Sequence, residues 1–73
     1  MNEICYVGPA YGVRYNNIRE VKKAWLSGND FRICGGPYVS IRDSEFLRDQ
    51  GVEYVMVMYG DQEGQIRHIE IEL

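Results

Sequence analysis

His68 is the only histidine of the chain and the side chain best suited to exchange protons near neutral pH. A general base needs a positioned partner and a pocket, and the nearest acid on the same predicted strand face is Glu70. With Glu72 added, the three side chains would make only a weak surface metal site, because a metal centre needs three or four converging ligands. The pattern favours an exposed strand histidine. We therefore expect no catalytic residue, no metal and no cofactor.

The two cysteines, Cys5 and Cys34, lie far apart in the sequence. A disulfide framework normally contains more cysteines, and a zinc site contains closer pairs with other ligands nearby. We expect two small, buried or half-buried thiols in a reducing compartment. A Cys5–Cys34 bridge is an alternative, but the fold does not require it.

Other residue types that carry chemistry fall in turn contexts. The glycines of the 35–37 segment could offer backbone N–H groups to an anion, but two glycines before a proline are typical of a tight turn. The acidic pairs Asp43/Glu45 and Asp61/Glu63 are expected to be solvated carboxylates of loops or helix caps. No nucleophile elbow or P-loop occurs in the sequence. The chain is therefore not expected to be an enzyme.

Charge is unevenly distributed along the chain, whose net charge is −3. Residues 1–36 contain five basic and three acidic residues, a net charge of +2, whereas residues 37–73 contain three basic and eight acidic residues, a net charge of −5. A protein that neutralises phosphates usually has a basic excess, so nucleic acid is a less favoured partner. The acidic half would be attracted to a basic protein surface, such as one that normally holds nucleic acid.

The length of 73 residues predicts one domain, residues 1–73, with a small core and little room for a deep pocket. The longest apolar run, residues 54–59, is far too short to cross a membrane. The start, Met1-Asn2-Glu3, lacks the features of a signal peptide. We expect a complete, unprocessed cytoplasmic protein with no membrane association.

The clearest helix signal begins at Asn17, which can accept a hydrogen bond from the N–H of Glu20 while Glu20 reaches back to Asn17. Gly28 is suited to the left-handed position that ends a helix. Helical spacing separates an apolar face from a basic one. The apolar face comprises Ile18, Val21, Ala24 and Trp25, and the basic face comprises Arg19, Lys22 and Lys23.

Alternating or continuously apolar segments predict the strands. They are residues 4–7, a short extended segment at 13–15, a hairpin of 31–34 with 38–42, a central strand at 52–59 and an edge strand at 66–73. A short helix capped by Asp43 or Ser44 and ended by Gly51 precedes the central strand. The predicted fold class is α+β: an antiparallel sheet of four or five strands with one main helix packed on one face. The expected core joins Ile18, Val21 and Trp25 to Ile33, Val39, Ile41, Val55 and Ile69.

Six tyrosines are many for so short a chain, and tyrosine often anchors interfaces. Tyr11 and Tyr15 are predicted to be exposed, close to the basic helix face. Sheet-edge cover or clamping of the loop is the alternative role for these rings. The candidate partner-binding residues are Tyr11, Arg14, Tyr15, Arg19, Lys22 and Lys23. The competing surface is the acidic strand face of Glu70 and Glu72.

Residues 18–33 and 35–43 together resemble small proteins encoded by tailed bacteriophages. The resemblance implies a stoichiometric binder that inhibits or redirects a host machine. Host RNA polymerase is a frequent target of such proteins, and CRISPR effectors and nucleases are others. No functional residue is implied, because the matched positions also fit helix, turn and core.

The leading functional hypothesis is therefore a protein that binds a host protein of the transcription apparatus in the bacterial cytoplasm. One alternative is a nucleic-acid-binding protein that uses the basic region from Arg14 to Lys23, with Tyr11 and Tyr15 as stacking surfaces. A second is an enzyme or metalloprotein centred on His68. A third is an assembly component that works as an oligomer.

Overall fold

The computed structural model describes residues 3–33 and 36–73. The predictions made for Met1, Asn2, Cys34 and Gly35 lie outside the described residues. Within the described part, five strands and two α-helices follow one another along the chain. Their bounds are β1 (Glu3–Pro9), α1 (Ile18–Leu26), β2 (Phe31–Ile33), β3 (Tyr38–Val39), a 3-10 turn (Ile41–Asp43), α2 (Ser44–Asp49), β4 (Val52–Gly60) and β5 (Ile66–Glu72).

The five strands form one sheet in the order β3-β2-β1-β4-β5. The prediction of an α+β fold with four or five strands is confirmed. The prediction of a purely antiparallel sheet is wrong, because β1 and β4 are parallel, with Cys5 opposite Val55 and Val7 opposite Val57. The reason is the connection between β3 and β4. This segment includes the 3-10 turn and α2, and a helical crossover of this kind can return the chain in a parallel direction, as a tight hairpin cannot.

The main helix begins where the sequence predicts. The side-chain oxygen of Asn17 accepts a hydrogen bond from the backbone N–H of Glu20 at 3.0 Å. The carboxylate of Glu20 reaches back by one residue more than predicted and accepts from the N–H of Asn16 at 2.8 Å. Gly28 has a φ of +88°, the left-handed conformation expected after the helix end.

The second strand of the predicted hairpin is shorter than expected, since β3 ends at Val39 rather than Arg42. Ser40 is buried and starts the 3-10 turn, where its hydroxyl accepts from the N–H of Arg42 at 3.3 Å. The Asp43 carboxylate accepts from the N–H of Ser40 at 2.8 Å. These local side-chain bonds satisfy backbone groups that would otherwise continue the strand ladder.

The hydrophobic core lies on one face of the sheet, and both helices contribute to it. Trp25 of α1 packs at 56° against Phe31 of β2, with ring centroids 5.8 Å apart, and Leu47 of α2 joins the same cluster. Ile33, Ile41 and Ile69 pack against this cluster as half-buried residues. Among the described residues, the buried hydrophobic ones are Val7, Tyr15, Val21, Ala24, Trp25, Phe31, Val39, Leu47, Val52, Val55, Val57 and Tyr59.

Ile18 is the member of the predicted core that the structure contradicts, because 48% of its surface is exposed. It is the first helical residue, and its side chain lines a shallow surface groove with Tyr59 and Arg67. Helical spacing correctly identifies the inward face one turn later, at Val21 and Trp25.

Candidate binding surfaces

Tyr15 is buried, so the prediction that it forms an exposed part of a binding patch is wrong. Its ring stacks on Phe31 at 20° with 5.5 Å between centroids, which places it in the core beside Trp25. Burial raises the pKa of the Tyr15 phenol, and a hydrogen bond with Asn29 partly opposes that rise. Residues 13–15 form a loop rather than the predicted extended segment. This loop places the Tyr15 ring in the core.

Tyr11, in contrast, is 80% exposed, as predicted. The guanidinium carbon of Arg32 in β2 lies 4.5 Å from the centroid of the Tyr11 ring, a cation–π arrangement. Arg32 is paired with Gly8 of β1 and Tyr38 of β3. The contact with Arg32 therefore links the exposed ring of Tyr11 to the sheet.

The predicted basic residues divide among three shallow grooves. Arg14 and Lys23 line one groove together with Tyr15. Arg19 lines a second groove, and Lys22 lines a third beside Leu26 and the acidic end of β5. Of the six candidate residues, Tyr15 is buried and the other five are exposed. Their role in binding remains a prediction for each residue separately.

Asp61 is not the solvated turn carboxylate that the sequence predicts. It is buried at the start of the β4–β5 turn, where one oxygen accepts from the N–H groups of Glu63 and Gln65, each at 2.9 Å. Its other oxygen accepts from Nε of Arg67 at 2.9 Å. The bond to Arg67, followed by the bonds to the two backbone N–H groups, lowers the pKa of Asp61 despite its burial. Asp61 therefore organises the turn that aligns β5 with β4.

The face of the sheet opposite the helices forms a separate surface, which we call the uncovered face. Strand side chains alternate between faces, and the register places the same parity of residues side by side across all five strands. At its centre, Tyr6 is 50% exposed and Met58 is 41% exposed. The uncovered face comprises Ile4, Tyr6, Gly8, Arg32, Tyr38, Tyr54, Met56, Met58, Gly60, Ile66, His68, Glu70 and Glu72.

The centre of the uncovered face is apolar and its border is polar. Met56 lies opposite Tyr6 on one side and Glu70 on the other, and Met58 lies opposite His68. Tyr6, Met56, Met58 and His68 line a shallow depression. Arg32 lies toward one edge of the sheet, and the exposed acids of β5 lie toward the other. This arrangement of a central aromatic and methionine cluster with a polar rim is typical of protein interfaces.

A sequence signal for the uncovered face existed. Residues 52–59 are apolar at both parities apart from Glu53, which correctly predicts a strand with neighbours on both sides. One main helix can cover only one face of such a sheet. The even-numbered residues of this strand, Tyr54, Met56 and Met58, therefore lie on the face that no helix covers.

His68 is exposed on β5, as predicted. Residues 3–33 and 36–73 contain no group of three or more histidine, cysteine or acidic side chains placed to hold a metal ion. None of the helices in this part of the chain is long and apolar enough to cross a membrane.

Comparison of the chain with protein-family models, with curated proteins and with solved structures gave no match.

Proposed function

We propose that the chain is a non-catalytic binding protein that uses its uncovered face to dock onto another protein. The observation that supports this most directly is the apolar cluster of Tyr6, Met56 and Met58 at the centre of the sheet, with both helices packed on the opposite face. Tyrosine and methionine supply large contact areas, and methionine adapts its shape to the partner. An apolar cluster inside a polar rim is the usual anatomy of a protein–protein contact.

Charge favours a protein over a nucleic acid as the occupant of this face. Among the described strand residues of the uncovered face, Arg32 is the one arginine and there is no lysine. Glu70 and Glu72 are exposed at the β5 side and would repel phosphates. The same carboxylates would attract lysine and arginine side chains at the border of a partner's apolar patch. The proposed partner surface is therefore apolar at its centre and basic at its rim.

The class of partner follows from the sequence resemblance to small phage proteins. We propose a protein of the host's nucleic-acid machinery in the bacterial cytoplasm, with RNA polymerase as the first candidate and a CRISPR effector or nuclease as the alternative. Such machines carry basic surfaces that normally hold nucleic acid, and an acidic rim would compete for them. Binding would act by occlusion or by trapping one conformation.

The test begins with purified RNA polymerase from the presumed host and measures its affinity for the chain by calorimetry. Tyr6→Ala and Met56→Ala should each weaken binding by about 1–3 kcal/mol if these residues are anchors. Phe46→Ala is the matched control, because Phe46 is also an exposed apolar residue, at 64%, but belongs to α2. Its substitution should leave the affinity unchanged.

Two results would contradict the proposal. Equal losses of affinity for Tyr6→Ala and Phe46→Ala would show that the uncovered face is not the docking surface. Tight binding of a single-stranded oligonucleotide at physiological salt, with a steep dependence on salt concentration, would favour nucleic acid as the partner instead.

A further inference from the structure

The two edges of the sheet differ in what they offer to another strand. The β3 edge is two residues long and ends in the capped turn at Ser40. The β5 edge is seven residues long, from Ile66 to Glu72. An exposed edge strand of this length presents unpaired backbone N–H and C=O groups that can pair with another strand.

The hydrogen bonds at the two ends of the β4–β5 ladder identify the outward-facing backbone groups. The N–H of Asp61 donates to the C=O of Gln65 at 2.9 Å, and the N–H of Leu73 donates to the C=O of Glu53 at 3.1 Å. In an antiparallel ladder, hydrogen-bonded pairs recur at every second residue. The odd-numbered residues of β5 therefore bond to β4. The N–H and C=O groups of Ile66, His68, Glu70 and Glu72 point away from the sheet.

The outward-facing residues carry polar side chains in an order that is complementary to itself. His68 precedes the middle of β5, Ile69, and Glu70 follows it. If two copies pair antiparallel with Ile69 opposite Ile69, each His68 lies directly opposite the Glu70 of the other copy. These residues then form hydrogen-bonded pairs, because both present their backbone groups outward. Their side chains also lie on the same face, where an imidazole N–H of His68 can donate a hydrogen bond to the carboxylate of Glu70.

The neighbouring registers are less favourable. If the pairing shifts by one residue, the outward-facing backbone groups of one copy lie opposite backbone groups of the other copy that already bond to β4. A shift of the pairing by two residues places His68 opposite His68 in one direction, or Glu70 opposite Glu70 in the other. Either shift loses the imidazole–carboxylate pairs, and the second also brings like charges together. The hydrogen-bond parity of the backbone and the pairing of His68 with Glu70 thus select the same register, centred on Ile69.

Apolar side chains flank this edge on the helix side. Ile69 and Ile71 are half-buried, and Leu26 of α1 is 70% exposed in the groove that α1 forms with the end of β5. A second copy in the register centred on Ile69 would bring its own Ile69 against this one. Further burial of these side chains would add to the backbone pairing.

We infer that β5 is a self-association edge, at which two copies of the chain pair antiparallel with Ile69 on the two-fold axis. The two sheets become one of ten strands, and the two uncovered faces merge into one continuous surface. This inference does not depend on the proposed function, since self-association is measured without any partner.

The order of His68 and Glu70 along β5 gives the first test, by sedimentation equilibrium of the purified chain over a range of concentrations. His68→Glu and Glu70→Lys should each weaken self-association by about tenfold or more, because each change acts at two symmetry-related pairs. An equimolar mixture of the two variants should recover it as a heterodimer. In that heterodimer the new carboxylate of one copy meets the new ammonium group of the other, and the unchanged Glu70 meets the unchanged His68. A wild-type chain that stays monomeric at millimolar concentration, or a mixture that behaves like the separate variants, would overturn the inference.

The register gives the second test, by oxidative cross-linking. Ile69→Cys should form a disulfide between copies, because residues opposite each other in a non-hydrogen-bonded antiparallel pair have Cα atoms about 4.5 Å apart, within disulfide range. Ile71→Cys is the matched control, since it is equally half-buried but lies opposite Arg67 in this register. Peptide mapping would separate these links from those of the native cysteines. Equal cross-linking of the two variants would exclude the register.

Discussion

Both faces of the sheet carry apolar residues, but the residue types differ between them. On the helix side, Val7, Val55 and Val57 are fully buried against α1 and α2. On the other side, Tyr6, Met56 and Met58 alternate with them along the same strands but remain partly open to solvent. Branched valines pack tightly in a fixed core, whereas methionine and tyrosine retain useful contact area for a partner. The difference in residue type distinguishes the folding face from the proposed binding face.

The largest expected effect comes from removing the helix side chain at the centre of the core on the folding face. Trp25 is 2% exposed and packs against Phe31. Trp25→Ala should lower the free energy of unfolding by about 3–5 kcal/mol, which is a large part of the stability of so small a domain. Urea denaturation monitored by circular dichroism measures it. Tyr6→Ala on the binding face is the control and should change stability by less than about 1 kcal/mol. Equal losses in the free energy of unfolding would mean that the uncovered face contributes to stability as much as the core does.

The second expected effect separates two tyrosines that are four residues apart. Tyr15→Ala should cost about 3 kcal/mol, because a buried aromatic ring that stacks on Phe31 is removed. Tyr11→Ala should cost less than about 1 kcal/mol, because only the exposed contact with Arg32 is lost. The same denaturation series measures both variants. A larger loss for Tyr11 would contradict the burial of Tyr15.

A third prediction concerns the binding face alone. Met56→Asp places a charge in the middle of the proposed apolar contact and should reduce partner affinity by about 2 kcal/mol or more. The fold should persist, because Met56 belongs to the uncovered parity of β4. Calorimetry measures the affinity, and circular dichroism confirms the fold. Retained affinity would mean that the partner contacts another part of the chain.

Much of the fold could be predicted from the sequence, because local signals determine it. Asn17 caps α1, Gly28 ends it, and the spacing of Val21 and Trp25 identifies its inward face. The parallel pairing of β1 with β4 could not be read in the same way. Apolar periodicity indicates which strands are central, but it carries no information on the direction of their neighbours.

The candidate site was harder to predict, because exposure depends on the path of a loop. Neither Tyr11 nor Tyr15 belongs to a periodic element, and no local pattern indicates which ring the loop turns inward. Asp61 shows the same limit, since its partner Arg67 becomes adjacent only when the β4–β5 turn closes.

A fourth prediction uses pH to test the turn that holds β5 in register. The pKa of Asp61 is lowered in the folded chain, so its contribution is present above the ordinary aspartate pKa of about 3.9 and is lost as pH falls through the lowered value. The gap in melting temperature between wild type and Asp61→Asn should therefore narrow from pH 6 to pH 2. Glu63→Gln, which removes an exposed acid of the same turn, is the control for the loss of one charge. A difference in melting temperature that does not change with pH would mean that the charge of Asp61 does not contribute to stability.

The smallest expected effect is at the rim of the binding face. Glu72 is exposed at the end of β5, opposite Tyr54, where it borders the apolar cluster without joining it. Rim charges mainly steer association, so Glu72→Gln should slow binding to a basic partner by about twofold to fivefold and leave dissociation almost unchanged. Stopped-flow measurements at several salt concentrations should also show a flatter salt dependence than wild type. Glu45→Gln, an exposed acid on α2, removes the same net charge away from this face and should have the smaller effect. If both variants slow association equally, the net charge of the chain steers the encounter and the rim of the uncovered face does not.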